Sequence, residues 1–546
     1  MSGLTPDHPG PQGLRHRLLK STANVGAATL LSRLSGLGRD LVIARVFGAG
    51  AATDAFFVAF RIPNFLRRLF AEGSFALAFV PLLAEYRARG DRAALRDLLD
   101  ATSGVLLAAL LLITAAAMLG ARYVIMVFAP GFIDDPQQWR LAGDLLRLTF
   151  PYLLLISLTA LAAGILNTFG RFFLPALTPV LLNLSLIAAA LAAHAWFTIP
   201  VTALAAGVAV AGALQLAFLM PSLIRLGLLP RPRWRPGHEG VRRILRLMLP
   251  TLFGSSVAQI NLLIDTLLAS LLLTGSVSWL YYADRLLEFP IGVFGVALAT
   301  VTLPALARHH ANGEMEHGRR TLAWGIRWVW VIGLPAAFGL GLLAERILTA
   351  LFAYGEFSAP DAALSAWAVI AYAPGLPAFL LIKSLAPAYY ARQDTQTPVK
   401  IAVAALLANM VLNLAFLALG LGLFTTPADG SLLHRLGTTP GLHAALALAS
   451  SSSAWLNAGL LWRGLERRGL TPEARGLAWV FARAGAASLV MAAGLTWATP
   501  QFAGWFQAGA AWRIGALAVL VAGGALLYLS AARLFGLRPA DLREPD

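Results

Sequence analysis

The sequence predicts an all-α, polytopic membrane protein, and three observations carry that prediction. Of the 546 residues, 58% are hydrophobic and only 13% charged, with a mean hydropathy of +0.70, whereas soluble domains carry about 25% charged residues. Apolar stretches of about 20 residues, the length a helix needs to cross hydrocarbon, recur along the whole chain. Lysine and arginine, finally, gather in alternate connections between those stretches. Cysteine is absent, which excludes disulfides and thiolate metal sites.

Taken in order, about fourteen spans are expected, at 22–47, 52–87, 95–128, 140–168, 173–196, 200–226, 241–272, 277–309, 320–352, 361–390, 398–423, 441–466, 475–498 and 510–536. The segment 1–21 is rich in Pro and Gly and lacks the apolar core of a signal peptide, so a disordered tail is expected there. A second short tail follows at 537–546. Basic residues mark one set of loops, as in Arg87 to Arg96, Arg225 to Arg243, Arg308 to Arg320 and Arg463 to Arg468, while 47–53, 273–276 and 499–512 are nearly free of them. Both termini are therefore expected in the cytoplasm. The net charge of +16 reads as topology and contact with anionic membrane lipids, not as nucleic acid binding.

An internal repeat appears at an offset of about 223 residues, which sets Phe79-Val80-Pro81 over Thr302-Leu303-Pro304 and Phe128-Ala129 over Phe352-Ala353. Asn183 and Asn409 recur within the following helices. Two parallel lobes of six helices are implied, 22–228 and 229–468, with the last two spans, 469–536, outside the repeat and a site between the lobes near the midplane.

Charges interrupt three spans. Arg33, Arg39 and Asp40 lie in the first; Asp54 opens the second, which carries Arg61, Arg67, Arg68 and Glu72; Asp284, Arg285 and Glu288 follow the Gly275-Ser276 turn. A charge at the bilayer centre costs about 2.5–3.5 kcal/mol, so such residues face a bundle interior or a hydrated cavity. On a helix Arg33 and Asp40 share a face, Arg68 and Glu72 are i,i+4 partners, and Arg285 and Glu288 are i,i+3 partners. Structural ion pairs are one reading of Arg33 with Asp40 and of Arg68 with Glu72. The other is a cationic chamber, because several inward arginines offer forked, permanently charged donors that match phosphate oxygens.

The stretches Ser32-Arg33 through Gly38-Arg39-Asp40, Phe47-Gly48-Ala49-Gly50, Thr53-Asp54-Ala55-Phe56-Phe57, Pro63-Asn64-Phe65-Leu66-Arg67-Arg68 through Gly73, Gly275-Ser276-Val277-Ser278-Trp279 and Tyr281 through Pro290 resemble the bacterial MurJ (MviN) lipid II flippases, within the multidrug/oligosaccharidyl-lipid/polysaccharide exporter superfamily. The resemblance covers about residues 22–536. It implies a non-enzymatic transporter of the inner membrane, with Arg33, Arg39 and Arg285 engaging the diphosphate of lipid II. Asp54, Arg67, Arg68, Glu72, Ser278, Asp284 and Glu288 join them as candidate binding positions. The two extra helices would form a groove for the polyprenyl tail, and the cell-wall synthesis machinery would be a neighbour.

The resemblance also implies a sodium site from an acid on the seventh span and polar residues on the eleventh and twelfth. Asp265, Asn409 and Asn413 are the candidates, with Ser451 to Ser453 nearby. Oxygen ligands suit a hard cation, although the second carboxylate of the relatives' pattern is Asn here; protons or membrane potential are the alternatives for coupling. A cation-coupled multidrug exporter, or an exporter of another polyprenyl-linked oligosaccharide, would share the fold. An embedded glycosyltransferase would want clustered acids or histidines at a membrane face, and the nine histidines fall mostly in loops or the tail.

Overall fold

The computed structural model describes residues 11–68, 75–426, 430–502 and 504–543, and all regular structure among them is helical. The helices run α1 (Pro11–Phe47), α2 (Ala51–Arg67), α3 (Phe75–Ala88), α4 (Arg92–Leu119), α5 (Ala121–Phe128), α6 (Pro136–Thr149), α7 (Pro151–Thr168), α8 (Phe173–Trp196), α9 (Thr202–Leu226) and α10 (Glu239–Ser270). They continue as α11 (Ser276–Pro290), α12 (Val296–Ala311), α13 (Met315–Leu351), α14 (Ala359–Tyr372), α15 (Leu376–Tyr390), α16 (Gln396–Phe424), α17 (Leu432–Thr438), α18 (His443–Glu466), α19 (Ala474–Ala498) and α20 (Ala510–Leu534).

Each expected span falls on one helix or on two in tandem, and the breaks have local causes. Gly120 separates α4 from α5, Pro151 opens α7, and Pro374 lies in the 3-10 turn between α14 and α15. Proline withholds a backbone donor and crowds the preceding turn, so it ends a helix or begins a new one. Pro290 acts similarly: α11 passes into α12 through a π-helical turn, Ile291–Gly295. Of the tail expected at 1–21, residues 11–21 lie in α1, which begins at Pro11, and residues 1–10 lie outside the described residues. Proline is tolerated at a first helical position, and the Leu14 to Lys20 stretch that follows contains good helix formers.

Among the described residues, eleven segments are long and apolar enough to cross a membrane. The remaining expected spans correspond to α1, α2 with α3, and α10, the helices that carry Arg33, Arg39, Asp54, Arg67, Arg68 and Asp265. α1 and α10 are long, at 37 and 32 residues, so their polar residues lower the hydropathy of otherwise sufficient helices, whereas α2 and α3 are short, at 17 and 14 residues.

Two compact units are present. One comprises the described part of Met1–Ile43 with Val58–Ile125 and Trp139–Gln259; the other comprises Ala44–Phe57, Met126–Gln138 and the described part of Ile260–Asp546. In the first unit, Phe79, Leu83, Leu98, Ile165 and Leu219 form a fully buried apolar cluster joining α3, α4, α7 and α9. Its 228–239 connection lies along α4, with Arg233 N donating to Asp100 O at 2.9 Å and Arg235 paired with Asp97 at 2.7 Å. In the second unit, α13, α19 and α20 share a core of Leu343, Val480, Ala484, Met491, Leu520 and Tyr528. Arg513 of α20 is buried there and donates to the carbonyls of Ala353, Phe506 and Ala508 at 2.7, 2.8 and 3.0 Å. Those contacts supply the acceptors that a guanidinium removed from water requires.

Candidate functional site

In the first unit, α1 and α8 meet through a polar cluster set among apolar residues. Arg39 Nε and Nη2 donate to Asp40 Oδ1 at 2.9 and 2.7 Å, and Nη1 donates to Asn183 Oδ1 at 3.1 Å. Asn183 Nδ2 donates in turn to Ser35 Oγ at 3.0 Å and to Ser32 O at 3.1 Å. Gly36 allows this approach, since a Cβ there would stand 3.5 Å from Asn183 Nδ2. The partner of Asp40 is therefore its neighbour Arg39 and not Arg33, which the shared helical face had suggested. An arginine stem is long enough to fold back along the helix, and both groups are buried, where a charge needs a counter-charge. Arg33 is exposed, and no acid lies within ion-pair reach of it among the described residues.

Arg67, the last residue of α2, and Arg68 immediately after it are half-buried. Arg67 Nε donates to Asn64 Oδ1 at 2.9 Å, and Arg68 Nη1 donates to Gln259 Oε1 of α10 at 3.2 Å. Glu72, and with it the expected pairing to Arg68, lies outside the described residues.

The second unit holds Asp54, Ser278, Asp284, Arg285 and Glu288. Asp54 is buried and sits on the N-terminus of α11, where Oδ2 accepts from Gly275 N at 2.7 Å and Oδ1 accepts from Ser278 N at 2.8 Å and from Ser278 Oγ. A helix N-terminus leaves backbone donors without partners and favours a negative charge. Gly275 has no side chain to cap its own helix, and at φ 100° it occupies the left-handed region that favours glycine. The cap therefore comes from a carboxylate more than 200 residues earlier, at a separation of 221. Beyond it, Arg285 Nη1 donates to Glu288 Oε2 at 2.7 Å and lies 4.8 Å from the Tyr281 ring centroid, while Asp284 is half-buried on the same helix. Tyr281 stacks on Phe57 at 3.9 Å, which packs α11 against α2.

A second polar cluster lies between α10, α16 and α18. Asp265 Oδ1 accepts from Asn413 Nδ2 at 3.0 Å; Oδ2 accepts from Asn261 Nδ2 at 3.2 Å and from Ser450 Oγ at 3.3 Å. Asn413 Nδ2 also donates to Asn409 Oδ1 at 3.0 Å, and Asn409 Nδ2 reaches Ser450 and Ser453 Oγ at 3.4 Å. Ser450 and Ser453 share a face of α18 at i,i+3, while Ser451 turns to the carbonyl of Ala371 at 2.7 Å. The hydroxyl expected from 451–453 is thus supplied by Ser453, with Ser450 added. Asn413 Oδ1 and Asn261 Oδ1 are buried and accept no hydrogen bond.

Sequence reasoning brought Asp265, Asn409 and Asn413 together and noticed Asn183 only as a repeat marker. An amide deep in an apolar run was the available signal, because it needs a partner wherever it is buried. Ser450 carried no such signal, since a serine satisfies itself within its own helix.

Comparison with known proteins follows the same lines. The family model described as "Lipid II flippase MurJ" matches residues 43–515. A Vibrio cholerae protein named "Probable lipid II flippase MurJ" is 44% identical over 534 residues, covering 96% of this chain and 98% of its own. A Burkholderia cenocepacia protein named "Lipid II flippase MurJ" is 41% identical over 89% of this chain and 91% of its own. Among solved structures, "Lipid II flippase MurJ, inward closed conformation" superposes with a TM-score of 0.76 at 26% identity, covering 94% of this chain and 98% of that one. An inward-facing multidrug resistance MATE family transporter shares the fold at a TM-score of 0.62 and 16% identity. With a family match over most of its length and close relatives end to end, the chain belongs to the MurJ lipid II flippase family.

Proposed function

We propose that this protein moves lipid II from the cytoplasmic to the outer leaflet of the bacterial inner membrane by alternating access of two lobes, both termini lying in the cytoplasm. The observation that carries this reading is the relatives' shared name over nearly the full chain, joined to embedded arginines on α1 and α11. A diphosphate headgroup needs a hydrated, cationic route, whereas an isoprenoid tail stays in lipid. Arg33, exposed and with no acid in ion-pair reach among the described residues, is the primary diphosphate contact; Arg39 and Arg285 complete the set. Asp54 and Ser278 act by holding the start of α11, which positions Asp284, Arg285 and Glu288. Arg67, Arg68 and Glu72 line the route from α2. The α19–α20 pair, with Leu489, Leu526 and Leu529 exposed, borders the tail. No covalent step is involved.

The Asp265 cluster is proposed as a sodium site. Asp265, Asn409 and Asn413 would hold the ion, and the buried Asn413 Oδ1 and Asn261 Oδ1, which accept no hydrogen bond, fit an oxygen-liganded hard cation. Bound sodium would favour one lobe arrangement by its difference in affinity for the two.

Transbilayer movement of fluorescent lipid II in vesicles reconstituted with the purified protein tests the reading. Movement of lipid II is expected, with severe loss in Arg33→Ala, Arg39→Ala and Arg285→Ala. Transport of organic cations without lipid II movement would overturn it in favour of a multidrug exporter.

A further inference from the structure

The second unit contains a cavity of about 30 Å³ that the transport reading does not use. It lies where the end of α12, the start of α13 and the residues after α15 converge, and His309, His310, Glu314, Met315, Arg319 and Arg392 line it. A water needs about 10–15 Å³, so there is room for one small polyatomic group.

The charges around it are unevenly matched. His309 Nδ1 and Glu314 Oε2 are 2.8 Å apart, Arg319 stands 3.6 Å from Glu316 and donates to Gly469 O at 2.9 Å, and Arg468 pairs with Asp394 at 2.8 Å. Each nearby acid therefore has a basic partner. Arg392 differs: its described hydrogen bond runs from Nη2 to Met315 Sδ at 3.3 Å, and no carboxylate lies within ion-pair reach among the described residues. A thioether is a weak acceptor, and a guanidinium carries five N–H donors. Partial burial and the neighbouring charge of Arg468 both push the Arg392 pKa down.

We propose that this cavity binds a single phosphate group, held by Arg392 with Arg319 beside it and supplied either by the headgroup of an anionic membrane lipid or by soluble phosphate. Forked guanidinium donors match phosphate oxygens, and basic pockets between helices at a membrane face are where lipid headgroups dock. None of its lining residues is among those proposed to bind lipid II or sodium.

Native mass spectrometry of the full-length protein with phosphatidylglycerol, phosphatidylcholine or inorganic phosphate tests it. Phosphatidylglycerol retention should exceed that of phosphatidylcholine and fall at least about fivefold in Arg392→Ala and in the shape-preserving Arg392→Gln. A paired Arg89→Ala, Arg92→Ala change in another basic loop should retain it. Displacement by millimolar inorganic phosphate would identify a soluble-phosphate site; resistance to displacement would identify a lipid site. Wild-type retention in a folded Arg392→Gln protein, equal retention of phosphatidylcholine, or an equal loss in the Arg89, Arg92 control would each overturn the proposal.

Discussion

Two polar clusters, one in each unit, solve the same problem differently. Around Arg39, Asp40, Asn183 and Ser35, cation meets anion and the amide uses both its oxygen and its nitrogen. Around Asp265, Asn413, Asn409 and Ser450, amide nitrogens and a hydroxyl crowd onto one carboxylate, and two amide oxygens are left without donors. In the first cluster the charges hold one another. The second leaves two amide oxygens without donors, which fits the cation site proposed there.

Arg39→Ala should break this contrast most severely. It would remove the guanidinium that neutralises buried Asp40, at a cost of about 3–5 kcal/mol, read as a large fall in the detergent melting temperature along with lost transport. Arg39→Ala combined with Asp40→Ala should recover much of the stability and none of the transport. If the double variant melts no higher than the single one, the ion-pair account of the first cluster is wrong.

Asp54→Ala should cost about 2 kcal/mol, because one side chain satisfies the donors at the start of α11. Ser278→Ala should cost about 1 kcal/mol, since the backbone bond to Asp54 survives. Equal costs for the two would show that the hydroxyl, and not the helix terminus, dominates.

Asp265→Asn sharpens the comparison from the other side. Sodium at constant ionic strength should raise the melting temperature of the wild-type protein by a few degrees and leave the variant unmoved. A wild-type melting curve indifferent to sodium would remove the ion from the second cluster and leave protons or membrane potential to drive transport.

The smallest effect is expected at a loop. Hydrogen bonds from Thr397 and the Arg468 ion pair hold the Asp394 pKa down at about 2. A depressed acid contributes stability that is present above its unfolded value of about 3.9 and is lost as pH falls toward 2. Partial exposure of the pair limits the contribution to about 1 kcal/mol. Thr397→Val should flatten the acid limb of a melting-temperature profile between pH 4 and about 2; an unchanged limb would show that Asp394 is not the group involved.

The fold class, the helices and the identity of the charged ones were legible because hydropathy and loop charge are properties of composition along the chain. The same was true of Asp265, Asn409 and Asn413 as partners once the resemblance was recognised. Helical periodicity put Arg33 and Asp40 on one face, but it cannot say which long side chain folds back to neutralise which acid. Nor does spacing within α2 or α11 reveal that Asp54 caps a helix 221 residues away.

By itself, then, the sequence determined an all-helical membrane chain with polar residues confined to particular helices, since the cost of placing charge in hydrocarbon is written into each segment separately. Only the tertiary structure decided the pairings: Arg39 with Asp40 and Asn183, Asp54 with the α11 terminus, and Arg392 facing a thioether in place of an acid. Hydrogen bonds and ion pairs depend on atoms meeting within about 3 Å, and such meetings between distant residues exist only once the helices have packed.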